Sequence, residues 1–120
     1  MIIATVRIAI SSKERDRALS FLRSMTGRSR VLPGCHSSRV YRDEQEENVL
    51  MFEQVWENEA DLDRYLQSDE YRRMLLFMET ATVQPEVRFN TVASSTGIET
   101  IRRARGLTAD GETHESTDDR

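Results

Sequence analysis

The chain has 120 residues, of which 38% are hydrophobic and 32% charged, and its formal net charge is −4. This length supports one domain, and no apolar run approaches the roughly 18 residues that a membrane-spanning helix needs. The acidic balance lacks the basic field that drives phosphate binding. We therefore expect neither a membrane nor a nucleic acid as a partner.

The start of the chain and its single cysteine favour a cytoplasmic location. Met1 leads directly into an alternating β-branched segment, without the features of a secretory signal. Cys35 is the only cysteine, which suits a reducing compartment. With only two histidines, His36 and His114, no metal site is expected.

The first half of the chain predicts a strand, a helix and a second strand. Residues 2–10 alternate and are rich in β-branched side chains, which is typical of a strand. Ser11 and Glu14 fit a capping box for a helix over 13–26, and Gly27 lies where a C-cap is expected. A turn at Pro33-Gly34 then precedes a strand over 35–42.

The second half begins with a strand that is apolar on both faces, over residues 49–56. Together with the preceding strand and the acidic turn between them, it predicts an antiparallel hairpin. Asn58 and Ser68 are plausible N-caps for two consecutive helical pieces, over 59–67 and to about 80. A fourth strand is predicted over 86–93.

The C-terminal part differs in composition from the rest. We expect residues 1–93 to form the folded domain and 94–107 to form an extension that can include a short helix over 98–105. Residues 108–120 carry no large apolar side chain, so the pattern predicts a disordered tail there.

The element order β-α-β-β-α-β predicts an α+β, ferredoxin-like fold with a four-stranded antiparallel sheet. Two helices cover only one face of such a sheet. Because the third strand is apolar on both faces, a second copy is the simplest cover for the other face. We therefore expect a homodimer with two-fold symmetry.

Several local motifs resemble the antibiotic biosynthesis monooxygenase family of dimeric α/β barrels. Pro33-Gly34-Cys35 leads into a strand that ends in Tyr41-Arg42-Asp43, and a later apolar strand ends at Trp56. The run Glu57-Asn58-Glu59-Ala60-Asp61-Leu62 follows, and Trp56 with this run is the most specific part. The resemblance covers about residues 1–93.

This resemblance implies a ferredoxin-like dimer with a pocket between sheet and helices. It implies oxidation of phenols or quinols by molecular oxygen, often without metal or flavin. Such chemistry is feasible because a deprotonated phenol can itself donate electrons to oxygen, while the protein binds it, assists proton loss and excludes water. We expect no cofactor and a small aromatic ligand.

The chain departs from the family pattern at three positions. Gln54 replaces a glutamate two residues before the tryptophan, Tyr65 replaces a helix histidine, and Glu70 replaces a second histidine. A related haem-degrading branch uses a histidine of the second helix as its iron ligand. That ligand is absent here, and so is a histidine base on this helix.

Six side chains are candidates for the site, each with a structural alternative. Tyr65 can donate a hydrogen bond to a quinone oxygen, and His36 can take a proton near neutral pH. Trp56 can stack on an aromatic ligand. The remaining candidates for substrate binding are Tyr41, Arg39 and Gln54. The alternatives are a packed tryptophan or tyrosine, a solvated histidine and an arginine paired with Glu53.

Two functions remain open at this point. The first is a small cofactor-independent monooxygenase that acts on an aromatic phenol or quinol. The second is a non-catalytic dimeric module of the same fold that binds a small molecule.

Overall fold

The computed structural model describes residues 1–107, which form four strands and four α-helices. The disorder predicted for 108–120 concerns residues outside this range. The elements, in chain order, are β1 (Ile2–Ala9), α1 (Arg15–Ser29), β2 (Cys35–Arg42), β3 (Val49–Trp56), α2 (Glu59–Leu66), α3 (Asp69–Met78), β4 (Glu86–Thr91) and α4 (Ile98–Ala104). A 3₁₀ turn over Ser12–Glu14 leads into α1.

The four strands form one antiparallel sheet in the order β2-β3-β1-β4. The ferredoxin-like prediction is therefore confirmed. Ile2 lies opposite Trp56 and Val6 opposite Phe52, so the even-numbered residues of β1 and β3 share one face. A bulge at His36 shifts the register at the start of β2.

The hydrophobic core lies between α1, α2 and α3 and one face of the sheet, here called the helix face. Leu50, Leu22, Met25 and Met74 are fully buried there. Val49 is buried on the opposite, open face, but no residue of that face belongs to the contiguous core cluster of residues 1–107. The open face consists of Ile3, Thr5, Arg7, Ala9, Ser37, Arg39, Tyr41, Val49, Met51, Glu53, Val55, Glu86, Arg88 and Asn90.

The limits predicted for the first helix are wrong at both ends. Ser11 makes no side-chain capping bond, and its carbonyl instead accepts the Glu14 N–H at 3.0 Å. Gly27 lies inside α1 rather than after it. The helix continues because Ser29 Oγ donates to the Met25 carbonyl at 2.7 Å and bonds Ser38 Oγ at 2.8 Å, which ties the last turn to β2.

The predicted pair of helices after β3 is confirmed, and a side-chain cap begins each of them. Asn58 accepts the Asp61 N–H at 2.9 Å, and Ser68 Oγ accepts the Tyr71 N–H at 3.1 Å. Ser68 Oγ also donates to the Tyr65 carbonyl at 2.6 Å. The helical layer of the second half is therefore broken at Ser68.

On the open face, Arg7 forms ion pairs with the hairpin turn. Its guanidinium lies 3.1 Å from both Asp43 and Glu46. At the edge of the sheet, all six residues of β4 are exposed, and α4 buries no residue. No helix within residues 1–107 is long and apolar enough to cross a membrane.

Candidate functional site

A cleft of about 400 Å³ opens where α2 gives way to α3, beside the C-terminal end of β3. The C-terminal end of α1 and the following loop form its other side. The lining residues are Arg28, Leu32, Pro33, Trp56, Asp61, Arg64, Tyr65, Ser68 and Glu70. The volume lies within the range of roughly 300–1,000 Å³ that is usual for small-molecule sites.

Gly34 allows the loop and α2 to approach each other closely at this cleft. Its φ is +82°, and a Cβ atom there would lie 2.3 Å from a carboxylate oxygen of Asp61. Its carbonyl accepts the Glu57 N–H at 2.7 Å. Glycine is therefore required at this turn for both its backbone conformation and its missing side chain.

Two stacked aromatic rings form the inner wall of the cleft. The ring centroids of Trp56 and Tyr65 are 5.1 Å apart, with planes 30° from parallel. Tyr71 packs edge-on against Tyr65 at 5.2 Å. Only 1% of Trp56 and 3% of Tyr65 are exposed, so both rings are held rigidly by packing.

A buried chain of hydrogen bonds behind this wall orients the tryptophan. Trp56 Nε1 donates to Gln54 Oε1 at 3.2 Å, and Gln54 Nε2 donates to Ser38 Oγ at 3.2 Å. Ser38 in turn bonds Ser29 at the end of α1. The network therefore links β3, which carries Trp56, to β2 and to the end of the first helix.

The Tyr65 hydroxyl is a buried group without a hydrogen-bond partner among residues 1–107. Burial raises its pKa to about 12, and the Gln54 side chain, which lies near the hydroxyl but outside hydrogen-bonding geometry, offsets only part of this rise. The phenol therefore stays protonated at neutral pH. Buried polar groups are normally paired. The unpaired hydroxyl therefore marks a position at which a ligand could form a hydrogen bond.

Three ion pairs, made by two carboxylates, flank the cleft. Arg64 Nη1 donates to Asp61 Oδ1 at 2.8 Å. Arg28 Nη1 lies 3.5 Å from Glu70 Oε1, and Arg73 Nη1 approaches the same oxygen at 3.8 Å. Glu70 Oε2 is buried and has no partner within the described part of the chain. The rim therefore carries both signs of charge.

A second groove of about 510 Å³ runs between α1 and α3. Phe21 and Phe77 stack in it with centroids 4.7 Å apart, and Arg73 lies over Phe21. None of its lining residues has a buried polar atom left unpaired. The groove thus lacks the unpaired polar groups that distinguish the cleft at Trp56.

The structure brings together three of the six candidate residues predicted from the sequence. Trp56 and Tyr65 line the cleft, and Gln54 lies behind them with both ends of its amide bonded inside the protein. Exposed His36 bonds the Glu57 carboxylate instead. Arg39 and Tyr41 are exposed on the open face.

Sequence reasoning missed most of the rim. Arg28 follows a glycine at which the helix was predicted to end, and Arg64 was not among the six candidates. Ser68 was identified only as a cap, and Glu70 only as a replaced histidine. The position of Glu70 was the one available signal, since it matches a functional position of the resembled family.

No three His, Cys, Asp or Glu side chains within residues 1–107 are grouped to hold a metal ion.

Solved structures share this fold at low sequence identity. A Deinococcus radiodurans protein assigned as an antibiotic biosynthesis monooxygenase matches 82% of this chain and 98% of its own, with a TM-score of 0.76 and 13% identity. A protein from Mycobacterium tuberculosis matches 80% of this chain and 98% of its own, with a TM-score of 0.72 and 18% identity.

Sequence comparison finds a relative and a family. An uncharacterised protein of Synechocystis sp. is 31% identical over 67 residues, which are 56% of this chain. The match spans about half of that relative, 46% of its length. The sequence profile described as antibiotic biosynthesis monooxygenase matches residues 1–75, and the chain therefore belongs to the antibiotic biosynthesis monooxygenase family.

Proposed function

We propose that the protein is a monooxygenase that oxidises a phenol- or quinol-type aromatic with dioxygen, without a cofactor, in the cleft at Trp56. The observation that carries this proposal is the buried Trp56–Tyr65 stack, whose tyrosine hydroxyl has no partner among residues 1–107. A flat ring can pack against such a wall, and its oxygen can accept the free hydroxyl.

The reaction needs only the ligand and dioxygen. A phenol loses its O–H proton, and the resulting phenolate reduces dioxygen. One oxygen atom bonds to the ring carbon para to the hydroxyl. The O–O bond then breaks as that carbon releases its hydrogen as a proton, and this proton and the phenol O–H proton join the departing oxygen. The products are a quinone and water, so four electrons pass from the phenol to dioxygen.

The residues of the cleft have separate roles in this step. Trp56 holds the ring, and Tyr65 donates a hydrogen bond to the oxygen on which negative charge develops. Arg28 and Arg64 place positive charge at the rim. His36, Arg39 and Tyr41 lie outside the cleft and have no role in the proposed step.

Oxygen uptake with a panel of phenols and hydroquinones tests this function. We expect turnover by the native protein and at least a tenfold loss in Tyr65→Phe, since losing a buried donor to an oxyanion costs up to roughly 10²–10³ in rate. Its melting temperature should not change. Trp56→Leu should mainly raise KM, because stacking stabilises ground state and transition state alike.

Tyr71→Phe is the matched control for loss of a hydroxyl. Tyr71 packs against Tyr65 but does not line the cleft, so turnover should be unchanged. Full activity in both Tyr65→Phe and Trp56→Leu would remove these residues from the mechanism.

A binding module of the same fold is the second candidate. It is favoured by Tyr65 and Glu70, which stand where the family resemblance places helix histidines. Saturable binding of phenols without oxygen uptake would support this function and contradict the first.

We also propose a cytoplasmic homodimer joined through the open faces. Met51 and Val55 are apolar, only half-buried and outside the core of the described residues. A second sheet would cover them. Light scattering after size exclusion should give twice the chain mass, whereas a stable monomer would contradict this assembly.

A further inference from the structure

Glu70 is the carboxylate of the cleft whose hydrogen-bonding capacity is least used. A carboxylate offers about four acceptor sites on two oxygens. Oε1 faces two guanidinium groups, at 3.5 Å from Arg28 and 3.8 Å from Arg73. Oε2 is buried and accepts no bond from residues 1–107. A buried acceptor in this condition is unfavourable unless something donates to it.

The other carboxylate of the cleft is in a different state. Asp61 Oδ1 accepts from Arg64 at 2.8 Å, and Asp61 has no buried unpaired oxygen. Glu70 Oε2 and the Tyr65 hydroxyl are therefore the two buried polar atoms left unpaired among the residues that line the cleft. Glu70 also contributes to the raised pKa of Tyr65, so the two side chains lie near enough to interact electrostatically.

The two unpaired atoms have complementary chemistry. Ionised Glu70 can only accept a hydrogen bond, whereas protonated Tyr65 can donate one. A ligand hydroxyl satisfies both, because its O–H donates to the carboxylate while its oxygen accepts from the tyrosine. An ether oxygen at the same place could use only the tyrosine. A site built on this pair would therefore favour a free aromatic hydroxyl over an ether.

We propose that Glu70 Oε2 binds the hydroxyl hydrogen of the aromatic ligand and acts as its general base. This inference rests on the proposed function and adds a catalytic residue to it. The ligand O–H bond breaks as a proton passes to Glu70, and the phenolate electrons then reduce dioxygen. Glu70 returns the proton to the oxygen atom that leaves as water, so the carboxylate is regenerated.

Glu70→Gln is the direct test, because it removes the charge with almost no change in volume. Asp69→Asn is the matched control, since Asp69 is the exposed neighbour in the same first turn of α3. Glu70→Asp is a second variant that keeps the carboxylate but withdraws it by one methylene. The melting temperatures of all three variants report whether they fold.

Binding can be measured without turnover, because Trp56 is the only tryptophan of the chain. Quenching of its fluorescence should show that the native protein binds hydroquinone roughly tenfold more tightly than its dimethyl ether, as expected for a hydrogen bond to a charged group. Glu70→Gln should lose this preference, and Asp69→Asn should keep it.

Oxygen uptake gives the second readout. Loss of a general base should lower turnover by roughly 10²-fold or more in Glu70→Gln, with little change in Asp69→Asn and an intermediate value in Glu70→Asp. If Glu70→Gln kept both the native preference for hydroquinone and the native rate of turnover, the proposed role of Glu70 would be wrong.

The failure of this inference is distinguishable from the failure of the proposed function. If the native protein prefers hydroquinone through Glu70 but consumes no oxygen, Glu70 binds the hydroxyl and the monooxygenase proposal is wrong. If Glu70→Gln consumes oxygen as fast as the native protein does, the monooxygenase proposal stands and the base is another group.

Discussion

The two halves of this fold are built from the same element order but are closed to different degrees. In the first half, β1 and β2 are joined by a single helix of 15 residues that buries Leu22 and Met25. In the second half, the connection between β3 and β4 is split into helices of 8 and 10 residues. The cleft lies at this split.

The comparison extends to the strands. Val6 of β1 and Val87 of β4 are directly opposite each other, yet Val6 is 5% exposed and Val87 is 42% exposed. The helices of the second half thus leave the edge strand β4 largely exposed. A continuous helix closes a packed layer, whereas a broken helix leaves space for a ligand at the break. The cleft therefore opens at the break in the second half, while the end of α1 and the loop after it form its other side.

The largest expected effect compares one leucine from each half. Leu22→Ala in α1 removes a fully buried side chain and should lower the free energy of unfolding by about 2–5 kcal/mol. Leu75→Ala in α3 removes a side chain that is 50% exposed and should cost less than about 1 kcal/mol. Urea unfolding curves of both variants measure the difference.

Equal losses in the two variants would break the comparison. They would mean that Leu75 is covered in solution as fully as Leu22, for example by a second copy of the chain. Repeating the Leu75→Ala measurement over a range of protein concentrations would test this explanation. The loss depends on concentration if a second copy covers Leu75, and does not if Leu75 is buried within a single chain.

A smaller effect concerns the buried tyrosines, which lie in α2 and α3 of the second half. Burial raises the pKa of Tyr65 from 10.0 to about 12 and also raises that of Tyr71. Above pH 10 the unfolded chain loses the Tyr65 proton before the folded chain does, so stability falls between about pH 10 and 12. The loss attributable to Tyr65 is up to about 3 kcal/mol.

Urea unfolding should therefore show a lower free energy of unfolding at about pH 11.5 than at pH 8. This difference should be smaller in Tyr65→Phe than in the native protein. Tyr41 of β2 is exposed in the first half, so Tyr41→Phe is the control and should leave the pH dependence unchanged. The same pH dependence in Tyr65→Phe and the native protein would show that the Tyr65 hydroxyl is not desolvated in solution.

Several features of the fold were predictable because their signals are local. Alternation in β1 and β3 requires only that neighbouring side chains point to opposite faces. The helix break at Ser68 was also predictable, since a serine followed by Asp69 and Glu70 is a local start signal. The four strands and both helical pieces of the second half followed from such signals.

The composition of the site was only partly predictable. Trp56 and Tyr65 were identified through the family resemblance, and the structure stacks them in one cleft. Arg28 was missed because α1 passes through Gly27, and a bond between Ser29 and Ser38, nine residues apart, holds its last turn. Local capping rules contain no information about such a contact.

The sequence by itself determined the element order and the alternation of side chains along the strands, because propensity, periodicity and capping act over a few residues. Only the tertiary structure decided which polar atoms are paired. Gln54 is used internally to orient Trp56, whereas Tyr65 and Glu70 each keep a buried oxygen without a partner within residues 1–107. Pairing depends on distances between separate elements, and chain position alone does not define those distances.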